Sequence, residues 1–146
     1  MYSAIVLTKQ SVDQLKQIVL QSGLENHLKD FEFETKQGNP LPHHMTLSMG
    51  PLSKDSNNLK ENEQVLIHVA EIWLNERIGA CAAQVVKAET LDGLEITTIN
   101  EHPHITCCIK NYAKPFHSNQ IFDAEDSIWI ECPNGLELNG FVQECA

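Results

Sequence analysis

His43-His44-Met45-Thr46-Leu47-Ser48 decides how the chain is read, because the same phrase returns at Pro103-His104-Ile105-Thr106-Cys107-Cys108. Each copy is built on a His-x-Thr tripeptide. In an extended strand successive side chains take opposite faces, so His44 and Thr46 share one face while Met45 and Leu47 take the other. In the second copy His104, Thr106 and Cys108 are expected to project together. Ile105, Cys107 and Ile109 then form an apolar row that anchors the strand in a core. Two imidazoles and two hydroxyls are thereby offered to one site. For seven histidines and seven threonines scattered at random, about 0.3 such tripeptides are expected, so one copy carries little and the matched pair carries the argument.

Outward from the motifs, Tyr2 to Leu7 reads as a first strand. Ser11-Val12-Asp13-Gln14 resembles a capping box and predicts a helix whose apolar face is Val12, Leu15, Ile18 and Val19, ending near Gly23. Leu24 to Phe31 continues as a short helical segment, and Gln37 to Pro42 is a loop feeding the first motif strand. Ser53 to Glu63 is polar and reads as an exposed loop beside that motif. Gln64 to Trp73 and Ala80 to Ala88 read as strands, with a short helix over Val69 to Ile78 as the competing assignment. Asp92-Gly93 marks a turn, Leu94 to Ile99 a further strand, and Asn111 to Asn119 a lid beside the second motif. Ser127 to Glu131 and Leu136 to Glu144 read as a hairpin closed by Cys132-Pro133-Asn134-Gly135, since Asn-Gly favours a two-residue turn.

With 146 residues, 42% hydrophobic and 21% charged, the chain is expected to form a single domain over residues 1–146, folded as two similar lobes. The apolar run after Met1 is short and has no basic leader, no segment approaches a membrane span, and five cysteines without a Cys-x-x-Cys pair indicate neither a disulfide framework nor a cysteine zinc site. A reducing cytoplasm is the default expectation. The formal net charge of -10, with Arg77 the only arginine, disfavours long DNA or RNA as a partner. A small phosphorylated ligand is still compatible, with Lys54, Lys110 and Lys114 as a local offset to the acidic field.

Histidine titrates near neutrality, so two of them facing one phosphorus can act as general base and general acid with no metal or other cofactor. Threonine hydroxyls two residues on can donate to the nonbridging oxygens as charge builds there. Tyr112 and Phe116 in the lid are candidates to stack a base, with Lys110, Lys114, Ser118 and Asn119 as further substrate contacts. Trp73, Tyr2 and Trp129 are additional aromatic candidates, for which a core position is the competing reading. His43, His44, His102 and His104 could also be read as a metal cluster, but no carboxylate stands ready in sequence to complete it.

These residues resemble the two-histidine (2H) phosphoesterases, whose members carry two H-x-T-x motifs, here His44-Met45-Thr46-Leu47 and His104-Ile105-Thr106-Cys107. The resemblance implies an α+β fold of pseudo-symmetric, two-lobed antiparallel β-sheets with outer helices and a central cleft. It implies metal-independent cleavage of phosphodiesters or cyclic phosphates, with His44 and His104 catalytic and Thr46 and Thr106 on the phosphate. Cys107 replaces the usual larger aliphatic residue, and as a small hydrophobe it can still pack. His-His-Met-Thr, Pro-His-Ile-Thr and the run Lys114 to Asn119 look most like the phage anti-CBASS phosphodiesterases. That likeness implies a small cyclic di- or oligonucleotide substrate in the host cytoplasm, cGAMP among them. Its 3'-5' bonds would be cut through a 2',3'-cyclic phosphate to 3'-phosphate products, antagonising CBASS immunity. The alternatives are an RNA-end 2',3'-cyclic phosphodiesterase using the same four residues, and a protein that binds a cyclic nucleotide without cleaving it.

Overall fold

The computed structural model describes residues 1–52 and 59–146. Lys54 and most of the expected polar loop therefore lie outside the described residues. In chain order the elements are β1 (Tyr2–Leu7), α1 (Lys9–Leu20), a 3-10 turn (Glu25–His27), β2 (Phe31–Glu32) and β3 (His44–Ser48). There follow β4 (Gln64–Asn75), β5 (Ala80–Thr90), β6 (His104–Lys110), a 3-10 segment (Pro115–Asp123) and β7 (Ile128–Cys145). The α+β, antiparallel fold expected from the motifs is the one observed.

The strands lie in the order β2-β6-β3-β1-β7-β4-β5, and β5 also pairs with β6, so the sheet closes on itself and its two halves are continuous. Every pairing is antiparallel. One belt of side chains shows how closure makes a core. Met45 pairs with Ile105, Ile105 with Ala83, Ala83 with Ile72 and Ile72 with Ile130, while on the other side Met45 pairs with Ile5 and Ile5 with Val142. Members of a pair point to the same face. The belt accordingly lies on one face, joined by Leu15 and Val19 of α1 in a single apolar cluster. Each such side chain contributes roughly 1.5–3 kcal/mol when fully buried. Residues one position to either side of the belt face away from this core, and those include both His-x-Thr motifs.

The helix begins three residues earlier than its capping pattern suggests. Thr8 is the N-cap, in an extended conformation with its hydroxyl accepting from the Ser11 amide at 3.2 Å. Ser11 is instead inside the first turn and buried, and its Oγ accepts from the Asn139 amide at 2.8 Å, fastening α1 to β7. β4 and β5 are the expected strands and pair with each other as an antiparallel hairpin, which removes the short-helix reading of Val69 to Ile78. Leu94 to Ile99 does not form a strand. It makes an isolated bridge at Glu89–Glu95 and scattered backbone hydrogen bonds, from the Ile96 amide to the Ala88 carbonyl, from the Thr90 amide to the Leu94 carbonyl and from the Ile99 amide to the Leu47 carbonyl.

Two further corrections concern registry. Ser127 to Glu144 is not a hairpin: both halves pair in the same direction with β4, and Cys132 to Gly135 bulge out opposite Ala70 between the Glu71–Glu131 and Val69–Leu136 pairs. Asn134 (φ 58°) and Gly135 (φ 71°) adopt the left-handed conformations of a hairpin turn, but here they serve the excursion of one long strand. In β6 the pairs Ala82–Thr106 and Cys81–Cys108 skip Cys107. This bulge breaks the simple alternation, so Cys108 joins Cys107 in the core while Ile109 turns to the second apolar cluster beneath the 3-10 segment.

No helix among the described residues is long and apolar enough to cross a membrane. At Gly140 β7 lies close against β1, and an added Cβ would lie 2.6 Å from Ile5 Cγ2 and 2.8 Å from the Val6 carbonyl oxygen. Since backbone cannot swing aside as a side chain can, Gly140→Ala is expected to destabilise the fold by about 1–3 kcal/mol, read as a lowered midpoint in urea denaturation with an unchanged slope.

Candidate active site

One registry fact assembles the site. Met45 lies opposite Ile105, so antiparallel pairing sets His44 beside Thr106 and Thr46 beside His104 on the face away from the core. The motifs are thus neighbours related by a local two-fold through the Met45–Ile105 pair. β5 extends the same face, with Ala82 opposite Thr106 and Gln84 opposite His104. Gln84 is a site neighbour that the sequence did not single out, and a lone polar residue in the run Ala82 to Val86 was its only signal.

The histidines are held differently. His104 is 8% exposed, its Nδ1 lies 2.8 Å from the His102 carbonyl oxygen, and its ring packs 5.6 Å from that of Phe122. Donation from Nδ1–H to that carbonyl leaves Nε2 with its lone pair. His102 is itself steadied by Asp123 at 3.1 Å and by the Phe122 ring. His44 has Tyr2 at 5.1 Å between ring centroids and shares a 2.9 Å Nδ1–Nδ1 hydrogen bond with His43. In the tautomer in which His44 donates that hydrogen, its Nε2 is a free lone pair.

Burial pushes the His44 pKa down from 6.5 to about 4, helped by the neighbouring charges of His43 and then His104. Burial also lowers His104, against an upward pull from its bond to the His102 carbonyl and with a further lowering by His102's charge. Both imidazoles are accordingly neutral at neutral pH.

The two threonines also differ. The Thr46 hydroxyl has no protein partner among the described residues. Thr106 Oγ1 lies 2.9 Å from the buried Ser118 Oγ and 3.3 Å from the Pro115 carbonyl oxygen. A hydroxyl has one proton to give. If Ser118 donates to Thr106, then Thr106 can exchange its long bond to Pro115 for one to a phosphate oxygen while Ser118 keeps it oriented.

Of the other sequence candidates, Ser118 is at the site through this bond, and Lys114 is close in the chain, preceding Pro115. Asn119 binds the Phe116 carbonyl, and Phe116 packs on His117 with its ring exposed. Tyr112 is not beside the histidines: its hydroxyl donates to the Glu76 and Arg77 carbonyls at the β4–β5 turn. Lys110 is likewise at the far end of β6, over the Phe31 and Tyr112 rings, four residues or roughly 13 Å of strand beyond Thr106. Trp73 faces the site side of the sheet two strands from Thr106, stacked on Trp129 at 6.0 Å and tilted against Phe122 at 5.5 Å, with its indole N–H donating to Glu71. The four histidines do not converge as metal ligands. Among the described residues the group with ligand spacing is Glu101, His102 and Asp123, which is solvent-facing and includes neither motif histidine.

Removing His43 takes away both a charge and bulk that disfavour protonation of His44. His43→Ala is expected to raise the His44 pKa above about 4, as followed by NMR titration of its ring protons, and an unmoved titration would contradict the proposed coupling.

The sequence from residue 11 to 136, which contains both motifs, matches the family model for the fungal tRNA ligase phosphodiesterase domain. Comparison with curated protein sequences gives no match. Among solved structures, the crystal structure of a fungal RNA kinase superposes with a TM-score of 0.62 at 14% identity, covering 97% of this chain and 44% of that one. At such identity the likeness is one of fold. This chain spans less than half the length of that protein.

Proposed function

Because the chain belongs to the fungal tRNA ligase phosphodiesterase domain family, a 2H-type phosphoesterase family, we propose that it hydrolyses the 2',3'-cyclic phosphate at an RNA end. The observation that carries this reading is the Met45–Ile105 registry, which brings two imidazoles and two hydroxyls onto one face without a charged side chain between them. Water attacks phosphorus as His44 Nε2 takes its proton. A new P–O bond forms, one P–O bond of the five-membered ring breaks, and His104 delivers a proton to the departing ribose oxygen. Thr46 and Thr106 donate to the nonbridging oxygens. His44 suits the base because its environment most strongly favours the neutral form. His104 suits the acid because the carbonyl bond at Nδ1 supports its imidazolium. Which ribose oxygen leaves decides whether the monoester remains on the 2' or the 3' position.

A second reading keeps the same chemistry and changes the substrate to a cyclic di- or oligonucleotide signal, cut at 3'-5' bonds through a 2',3'-cyclic phosphate. The net charge of -10 supports it, since a small ligand avoids the repulsion a polyanion meets. The family match favours the RNA end, and the acidic surface then means that recognition is confined to the terminal nucleotide. Turnover would separate both from simple binding. The test is incubation, with chelator present, of an RNA bearing a 2',3'-cyclic end and a panel of cyclic dinucleotides. Product chromatography is expected to show the RNA end opened, and cleavage of the cyclic dinucleotides alone would replace the first reading by the second.

Replacing His44 or His104 by Ala is expected to lower kcat about 10²–10⁴-fold, and Thr46→Ala less. Full activity in either His variant would exclude the mechanism. The pH dependence has a defined sign. kcat/KM reports the free enzyme, rising as the base deprotonates and falling as the acid does so. With one histidine at about 4 and the other also lowered, its optimum lies below 6.5. A bound phosphate anion favours the imidazolium, so the optimum of kcat is expected at higher pH than that of kcat/KM.

A further inference from the structure

Beside His44 the sheet carries a cavity of about 570 Å³ whose lining includes Val6, His43, Asn62, Phe141, Gln143 and Glu144. Registry places it on the site face. Val6 pairs with His44 on one side and with Phe141 on the other, while Ala4 pairs with Thr46 and with Gln143. Phe141 is therefore two strands from His44, roughly 10 Å away, on the scale of one nucleoside. Its ring is 38% exposed and belongs to neither apolar cluster. Every other Phe, Tyr and Trp has a ring or cation partner, whereas Phe141 has none among the described residues.

The polar groups around this free ring form a small hydrogen-bonding set. Gln143 Nε2 donates to Asn62 Oδ1 at 2.7 Å, which leaves Gln143 Oε1 as an acceptor and the second Nε2–H and the Asn62 Nδ2 hydrogens as donors. Glu144 shares with Val142 the other face of β7, where its Oε2 accepts from the Leu52 amide at 3.0 Å, so its carboxylate is not part of this set. No Lys or Arg is among the described lining residues. The two amides offer donors and an acceptor beside the ring, which suits the polar edge of a nucleobase.

We propose that this cavity is the base subsite for the nucleotide whose phosphate lies between His44 and His104, with Phe141 stacking the base and the Asn62 and Gln143 amides meeting its polar edge. The inference rests on the reading of the histidine pair as a site for a ribose-borne phosphate. It adds the location of the base.

The test measures KM for the four nucleoside 2',3'-cyclic monophosphates with wild-type and variant proteins. Phe141→Ala should raise KM about tenfold or more, as loss of base stacking does, and Phe141→Leu, which retains apolar bulk, should raise it as well. Gln143→Leu should raise it by a smaller factor. The inference is overturned if the Phe141 and Gln143 variants keep the wild-type KM, or if Trp129→Ala raises KM in place of Phe141→Ala, since the base would then lie on the opposite flank. Calorimetry with guanosine 3'-monophosphate separates this from failure of the reaction reading. If no cyclic nucleotide is turned over but the monophosphate binds wild-type protein and is weakened by Phe141→Ala, the subsite stands and the reaction is wrong.

Discussion

The pairing of Met45 with Ile105 is the contact on which the rest depends. Both side chains are fully buried, and together they bring one motif from each half of the chain to the same line of the sheet. Because side chains alternate, burying this pair forces their neighbours on either side to the opposite face. A one-residue slip of β3 against β6 would put Met45 on the site face and the imidazoles in the core. The apolar interior thus fixes the polar site, and the free energy that holds the registry comes from residues that do not touch a substrate.

Electrostatically the site is prepared by subtraction. Packing against Phe122, Tyr2 and His43 withdraws the motif imidazoles from water and favours their neutral forms. The nearest acidic neighbours in the same cross-strand row, Glu71 and Glu131, are two and three strands from His104. On the proposed reaction, a bound phosphate anion would supply the counter-charge that allows one imidazole to hold a proton, so protonation of the acid and occupancy of the site would be linked.

The motifs, their alternation and most strands were legible in sequence because the period-2 pattern is local. The features that were misjudged depend on partners distant in the chain. Asn134-Gly135 has the chemistry of a hairpin turn, yet whether the chain turns back or resumes its course is decided by β4, which offers a continuous edge to both halves of β7. Tyr112 and Phe116 look alike as exposed lid aromatics, but the Glu76 and Arg77 carbonyls capture the former. The cap on α1 was displaced because Ser11 is needed by Asn139. His43, Gln84, Phe141 and Gln143 were not identified as contributors to one face, because only closure of the ring brings their strands beside the motifs.

β7 runs behind this arrangement like a hoop with a buckle. Its early portion carries Trp129 and Glu131 on one flank of the histidine pair, its late portion carries Phe141 and Gln143 on the other, and the slack at Cys132 to Gly135 lies between them. The strand is pinned through β4 on both sides of that slack. A residue gained or lost there can be taken up outside the ladder while the spacing of the two flanks is preserved. Length variation at the buckle is thereby separated from the width of the cleft, whereas the same change at Gly140, where β7 lies against Ile5 and Val6, would be transmitted directly to the strand beside His44.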